Sequence, residues 1–82
     1  MTSKVSEADI FKVIEQALDV PSGSINLDSR AESIATWDSL GQLGILSGLD
    51  VLFDGKVADI EGIAAANSVS KILEMLRQNS LL

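Results

Sequence analysis

Apolar residues recur at helical spacing near the start of the chain. Their positions are three or four residues apart, which places them on one face of an α-helix. They are Ile10, Val13, Ile14, Ala17 and Leu18. Before them, Ser6 and Asp9 resemble a capping box in which aspartate replaces the usual glutamate, and Val5 with Ile10 can form the accompanying hydrophobic staple. The pattern predicts helix I from this cap to about Asp19.

The next segment, from Val20 to Thr36, lacks this regularity. Pro21 and Gly23 interrupt any helical period, and the apolar residues of the segment are irregularly spaced. These are Ile25, Leu27 and Ile34. We expect a long ordered loop whose apolar side chains pack across the helix ends, with room for a short turn of helix inside it.

Three further helices are predicted in the remainder of the chain. Helix II begins at Ser39 and ends at Asp54-Gly55, because glycine commonly follows the last helical residue. A short helix III is predicted over residues 57–65. Ser68 can cap helix IV, after which residues 78–82 are expected to fray. Helix II is strongly apolar and its face is expected to form the centre of the core, although Leu40 is expected to be partly exposed and available to a partner. The apolar residues are Leu40, Leu43, Ile45, Leu46, Leu49, Leu52 and Phe53 in helix II, Val57, Ile60 and Ile63 in helix III, and Val69, Ile72, Leu73 and Leu76 in helix IV.

These segments predict one all-α domain that covers residues 1–82. The expected architecture is a small antiparallel four-helix bundle, with three main helices, a short third helix, and a long loop between helices I and II. With 82 residues, of which 46% are hydrophobic, the chain is long enough for a single core and too short for an enclosed active site.

Charge and composition exclude several classes of function. The formal net charge of −6 argues against nucleic-acid binding, which requires a basic surface. The chain contains neither cysteine nor histidine, so disulfides and thiolate zinc sites are excluded and a metal site is not expected. The first residues contain no apolar run typical of a signal sequence, and no segment is long enough to span a membrane. We therefore expect a cytoplasmic monomer.

The candidate chemistry lies in the tetrapeptide Trp37-Asp38-Ser39-Leu40 at the start of helix II. A nucleophilic serine needs a base, usually histidine, to accept its proton. The chain has no histidine, and no sequence pattern pairs a lysine with Ser39, so we expect no catalytic residue and interpret Ser39 as a site that another enzyme modifies. Asp38 is a favourable N-cap, and a phosphate attached to Ser39 would lie beside the positive end of the helix dipole.

The chain resembles the acyl carrier protein family over nearly its whole length. The resemblance is carried by the Asp38-Ser39-Leu40 motif at the start of helix II, by the acidic net charge and by the predicted order of helices and loops. The resemblance implies that Ser39 carries a covalent 4'-phosphopantetheine arm, and that Asp38 and Leu40 help a phosphopantetheinyl transferase to recognise it. An acyl or aminoacyl group would be loaded by a ligase or synthetase and passed to an acyltransferase or synthase. Trp37 before the motif is more similar to stand-alone carriers of specialised lipid, polysaccharide or secondary-metabolite pathways.

The resemblance also implies that helix II docks partner enzymes, although here its surface departs from the family pattern. Gly41, Gly44 and Gly48 form one stripe where the family often has acidic or larger side chains. This stripe is either a surface for close approach of a partner or a site of internal packing against helix I or the loop. The candidate docking residues are Trp37, Gly41, Leu43, Gly44, Ser47, Asp50, Asp54 and Glu61.

The sequence leaves an alternative open for the role of Trp37 and another for the function of the whole chain. Because tryptophan offers a large area for burial, Trp37 could anchor the loop instead of contacting a ligand. The alternative function is an unmodified carrier-like helical module that acts as a protein-interaction adaptor, in which transferases no longer recognise helix II.

Overall fold

Three α-helices and two 3₁₀ turns form the regular structure of this chain. The computed structural model describes residues 5–82; the first four residues, part of the N-terminal stretch examined for a signal sequence, lie outside this range. Within the described residues the only β-type pairing is an isolated bridge, so the predicted all-α class is confirmed. The helices are α1 (Glu7–Leu18), α2 (Ser39–Leu52) and α3 (Val69–Gln78), and the 3₁₀ turns are Ala31–Ser33 and Ile63–Ala65.

The outer helices begin where their capping residues predict. The backbone N–H of Ser6 donates to Oδ2 of Asp9 at 2.9 Å, which is one half of the predicted capping box. At α3, the Ser68 hydroxyl accepts a hydrogen bond from the backbone N–H of Lys71 at 3.2 Å. These bonds satisfy amide groups that have no partner within the helix, so they define the first turn locally.

The core joins all three helices to the connecting segments. Its largest fully buried members are branched aliphatic side chains, which give the domain a dense apolar centre. They are Ile10, Ile14, Leu18, Ile45, Leu49, Val57, Val69, Ile72, Leu73 and Leu76. Ile25, Trp37 and Ile63 of the connections also belong to the core. The core face predicted for α2 is correct at Ile45 and Leu49 and wrong at Leu43, which is 60% exposed. Leu40 is exposed, as expected.

The glycine stripe of α2 packs against α1. A β-carbon placed on Gly48 would lie 2.7 Å from Cγ1 of Val13, and one placed on Gly44 would lie 3.4 Å from Cβ of Ala17. Residue numbers rise along α2 as they fall along α1, so the two helices run in opposite directions where they meet. Small side chains on both helices allow this close approach.

Gly41 occupies the tightest point of this interface. A β-carbon at this position would overlap the carbonyl oxygen of Thr36 and lie 2.8 Å from Cδ2 of Leu18. The loop before α2 and the end of α1 therefore close over Gly41, which is itself buried. Of the two interpretations of the glycine stripe, the structure supports internal packing.

The predicted helix III is wrong in extent. Residues 57–62 form turns, and helical geometry appears only in the single 3₁₀ turn Ile63–Ala65, so the fold has three α-helices where four were expected. Gly62 opposes a continuous helix here, because its φ of +87° lies outside the helical range. At the start of the segment, the Asp50 carboxylate accepts a hydrogen bond from the backbone N–H of Ala58 and so ties it to α2. The apolar residues predicted for this helix, Val57, Ile60 and Ile63, are nevertheless buried.

The long first connection is ordered, as predicted. Its 3₁₀ turn, Ala31–Ser33, is tied to the start of α3, since Ala31 N–H donates to the Asn67 carbonyl at 2.9 Å and Val69 N–H donates to the Ser29 carbonyl at 3.0 Å. Ile25 is buried and Ile34 is half-buried, in agreement with the expected packing. Leu27 is exposed, so the expectation is wrong for that residue.

The fraying predicted for residues 78–82 is also wrong. Ser80 has a φ of +61°, which turns the chain back so that Leu81 N–H donates to the Leu76 carbonyl at 2.9 Å. Leu81 and Leu82 then pack against the core. Burial of two leucines explains why this segment is held in place.

Candidate functional site

Ser39 is the first residue of α2, and its side chain is exposed. The carboxylate of Asp38 accepts a hydrogen bond from the Gly41 N–H at 2.9 Å, which caps the helix and confirms the predicted N-cap. Leu40 follows with 78% of its surface exposed. The motif thus presents a hydroxyl at a well-defined helix start, accessible to a second protein.

An open groove of about 590 Å³ lies beside Ser39, between α2 and the segment that contains the second 3₁₀ turn. Its lining is mainly apolar, and none of the described residues in it is basic. The lining consists of Ala31, Trp37, Asp38, Ser39, Gln42, Leu43, Leu46, Ala64, Ala65 and Asn67. A group attached to the Ser39 hydroxyl would therefore have an apolar surface within immediate reach.

Gln42 connects the two sides of this groove. Its Oε1 accepts a hydrogen bond from Nε1 of Trp37 at 2.6 Å, and its Nε2 donates to the carbonyls of Ala64 at 3.2 Å and Ala66 at 2.9 Å. These partners fix the orientation of the side-chain amide, because the indole N–H can only donate and the carbonyls can only accept. Sequence analysis did not identify Gln42; its only signal was a lone amide in an otherwise mostly apolar helix.

Trp37 is 5% exposed and belongs to the core. Its buried ring and its bond to Gln42 hold the end of the long connection against α2, which agrees with the loop-anchoring interpretation. As a docking residue it offers a partner little surface. Gly41 and Gly44, also predicted for docking, face α1 instead of solvent.

The remaining candidate docking residues lie on accessible parts of the molecule. Leu43 and Ser47 are exposed on α2, and Asp54 and Glu61 are exposed beyond its end. Asp50 is half-buried, and its carboxylate accepts the hydrogen bond from Ala58. The structure therefore brings Leu43 to Ser39 through the shared groove, whereas the acidic candidates belong to the far end of α2.

The electrostatic character of α2 is unusual for a chain of net charge −6. From Ser39 to Leu52 the helix contains one ionisable side chain, Asp50. The surface around Ser39 is thus nearly neutral apart from the Asp38 carboxylate. Chemically, this arrangement can offer the Ser39 hydroxyl to an external catalyst. It can also offer an apolar groove to a group attached at that hydroxyl.

Comparison with protein-family models, curated proteins and solved structures finds no match for this chain. Across residues 5–82, no helix is both long enough and apolar enough to cross a membrane.

Proposed function

We propose that this chain is an acyl carrier protein. It carries an acyl or aminoacyl group as a thioester on a 4'-phosphopantetheine arm attached to Ser39, and it presents that group to partner enzymes of a specialised lipid, polysaccharide or secondary-metabolite pathway. The observation that supports this most directly is the exposed Ser39 hydroxyl at the first position of α2, directly after the Asp38 cap and beside an apolar groove.

The residues around Ser39 suit a phosphate-linked group. The hydroxyl lies at a helix N-terminus, where unpaired amide groups and the helix dipole favour negative charge. Its exposure leaves room for a bulky substituent. When bound, the arm supplies the terminal thiol that forms the thioester. Leu40 and the half-exposed rim of the groove give the modifying transferase an apolar surface to recognise.

The chain is proposed as a substrate and carrier, with the catalytic groups supplied by its partners. Deprotonation of Ser39 requires a base. The chain contains no histidine, and neither lysine nor arginine lines the groove. The carboxylate of Asp38, which does line it, caps α2. The partners are a phosphopantetheinyl transferase, a loading ligase or synthetase, and a downstream acyltransferase or synthase. The carrier itself is proposed to act as a cytoplasmic monomer.

Intact-protein mass spectrometry tests this function. The purified chain is incubated with coenzyme A and a broad-specificity phosphopantetheinyl transferase, in parallel with Ser39→Ala and with Ser70→Ala as a control. Ser70 is also an exposed serine in the first turn of a helix, α3, and it is not a candidate docking residue. We expect a gain of one phosphopantetheinyl group in the wild type and in Ser70→Ala, and none in Ser39→Ala.

If the wild type gains no mass, the experiment is repeated with transferases from the native host, because the nearly uncharged surface of α2 could prevent a foreign enzyme from binding. Absence of modification there too would contradict the carrier function and favour the unmodified interaction adaptor. Modification that persists in Ser39→Ala would contradict the assignment of the site.

A further inference from the structure

One side chain, that of Gln42, makes hydrogen bonds across the groove beside Ser39 to the turn that forms its wall. The second 3₁₀ turn, Ile63–Ala65, is connected to α2 by the two hydrogen bonds that Nε2 of Gln42 donates to the carbonyls of Ala64 and Ala66. Gln42 lies 22 and 24 residues from these partners along the chain, so the bonds are tertiary contacts. We define this set of bonds as the Gln42 latch.

The Gln42 latch also lies between the surface groove and the core. Ala64 and Ala65 are exposed in the groove, whereas Ile63 and Ala66 on the same turn are 4% and 1% exposed and belong to the core cluster. A group that moves inward beside Gln42, between α2 and this turn, has to separate the Gln42 amide from the two carbonyls. Because a buried or half-buried carbonyl left without a donor is costly, the latch opposes that movement.

We propose that Gln42 is a positioning residue that determines how deeply an apolar group held at residue 39 can enter between α2 and the second 3₁₀ turn. With the latch closed, such a group lies along the surface groove against Leu43 and Leu46. With the latch broken, the turn moves away from α2 and the group reaches the buried side chains behind it. This inference rests on the proposed function for its biological meaning, and it can be tested separately.

The first test uses the unmodified protein and Gln42→Glu. This variant keeps an oxygen acceptor for Nε1 of Trp37 but removes the donor to the two carbonyls, so it breaks only one side of the network. The amides of Ala65 and Ala66 donate within the turn, and their exchange with deuterium therefore reports its opening. We expect about tenfold faster exchange at both amides, as for the loss of one to two ordinary hydrogen bonds.

An amide in α1, that of Ile14, serves as the reference for this measurement, since Ile14 is fully buried and outside the groove. If Gln42→Glu leaves too little folded protein, Gln42→Met provides a second variant of similar length that removes the polar bonds. Equal acceleration at Ile14 and in the turn would indicate general destabilisation and would contradict a local latch. Unchanged exchange at Ala65 and Ala66 would contradict it as well.

The second test places an apolar chain at residue 39 without any transferase. The protein has no cysteine, so Ser39→Cys introduces a single thiol. Its thiolate attacks the sulfenyl sulfur of octyl methanethiosulfonate, which forms the S–S bond and releases methanesulfinate, so no further oxidant is needed. The ethyl reagent gives the short-chain control, and Val51→Cys gives the same label at an exposed position of α2 that lies beside α1, away from the second 3₁₀ turn.

Nuclear Overhauser contacts from the octyl chain then locate it. With Gln42 present, we expect contacts to Leu43 and Leu46; with Gln42→Glu or Gln42→Met, we expect new contacts to Ile63 and Ala66. The ethyl label and the label at Val51→Cys should show no such change. Identical octyl contacts with and without the Gln42 amide would overturn the inference. Neither result depends on phosphopantetheinylation, so failure of the latch and failure of the carrier function are distinguishable.

Discussion

The glycine stripe of α2 allows a prediction in which three chemically identical substitutions have different effects. Each Gly→Ala change within a helix gains about 1 kcal/mol of intrinsic helix stability. The packing cost differs with what the new methyl group contacts. At Gly44 the nearest atom is Cβ of Ala17 at 3.4 Å, an ordinary van der Waals distance. Gly44→Ala is therefore expected to increase the free energy of unfolding by about 0.5–1 kcal/mol.

Gly41→Ala is expected to have the opposite sign. Its methyl group would overlap the carbonyl oxygen of Thr36, a backbone atom that cannot move without displacing the connection to α2. Overpacking of this kind costs about 1–3 kcal/mol, and the gain in helix propensity is reduced in the first turn. We therefore expect a net loss of about 1–2 kcal/mol in the free energy of unfolding.

Gly48→Ala tests the side-chain contact. Its methyl group would lie 2.7 Å from Cγ1 of Val13, whose β-branched side chain has little rotamer freedom in a helix. We expect Gly48→Ala to lose stability alone and to recover it in combination with Val13→Ala, which removes the obstructing methyl groups. The recovery measures the coupling between the two positions.

Urea unfolding followed by circular dichroism and by Trp37 fluorescence measures all of these changes. About 1 kcal/mol corresponds to a shift of roughly 4–8 °C in the melting temperature of a domain of this size, so thermal melts provide a second readout. Stabilisation by Gly41→Ala as well as by Gly44→Ala would refute the assignment of the stripe to α1, because that is the result expected of a solvent-facing or partner-facing stripe.

Three further predictions concern the cap, the groove rim and the surface charges. Asp38→Ala should lower the free energy of unfolding by about 1 kcal/mol, whereas Asp38→Asn, which also caps, should retain most of it; urea titration compares them, and equal losses would contradict the capping role. Leu43→Ala should lower kcat/KM of phosphopantetheinyl transfer, because Leu43 lines the groove beside Ser39. Val51→Ala alters an exposed residue of α2 that lies beside α1 and should leave kcat/KM unchanged. Equal effects of the two substitutions would show that exposed apolar area alone matters. Arg77→Gln removes an exposed pair with Glu7 and should cost less than about 1 kcal/mol in thermal melts, with a larger loss arguing for a role beyond this pair.

Helix positions were predictable where local signals determine them. Ser6, Asp38 and Ser68 each stand directly before a helical apolar pattern, and the side chain of each caps that helix or bonds within its first turn. A cap and its target amide are three residues apart, so the information is contained in a short segment of sequence. The end predicted for α2, at Asp54-Gly55, is correct for the same reason. Gly55 has a φ of +83°, and its N–H donates to the Asp50 carbonyl only five residues earlier.

The errors occurred where distant residues decide the structure. The apolar spacing of residues 57–65 fits a helix, yet Val57, Ile60 and Ile63 reach the core through turns, with a positive φ at Gly62. The role of Gln42 depends on carbonyls more than twenty residues away. The orientation of the glycine stripe depends on how α2 is rotated against α1, which a helical period alone does not determine. Within the candidate site, the positions of Ser39 and Asp38 could be predicted, while the groove could not.

The division of α2 into faces limits how a partner can recognise Ser39. One face is occupied by α1 through the glycine stripe, and Gln42 joins another to the second 3₁₀ turn. The accessible remainder near Ser39 consists mainly of Leu40 and Leu43, since the only ionisable side chain of the helix, Asp50, lies toward its far end. Long-range attraction from the net charge of −6 can therefore raise the encounter rate with a basic partner, but it does not direct that partner to the hydroxyl. For the proposed carrier, selection at Ser39 then depends on the adjacent Asp38 carboxylate and on short-range apolar complementarity with Leu40 and Leu43. The apolar contribution acts only after the encounter and chiefly on the dissociation rate.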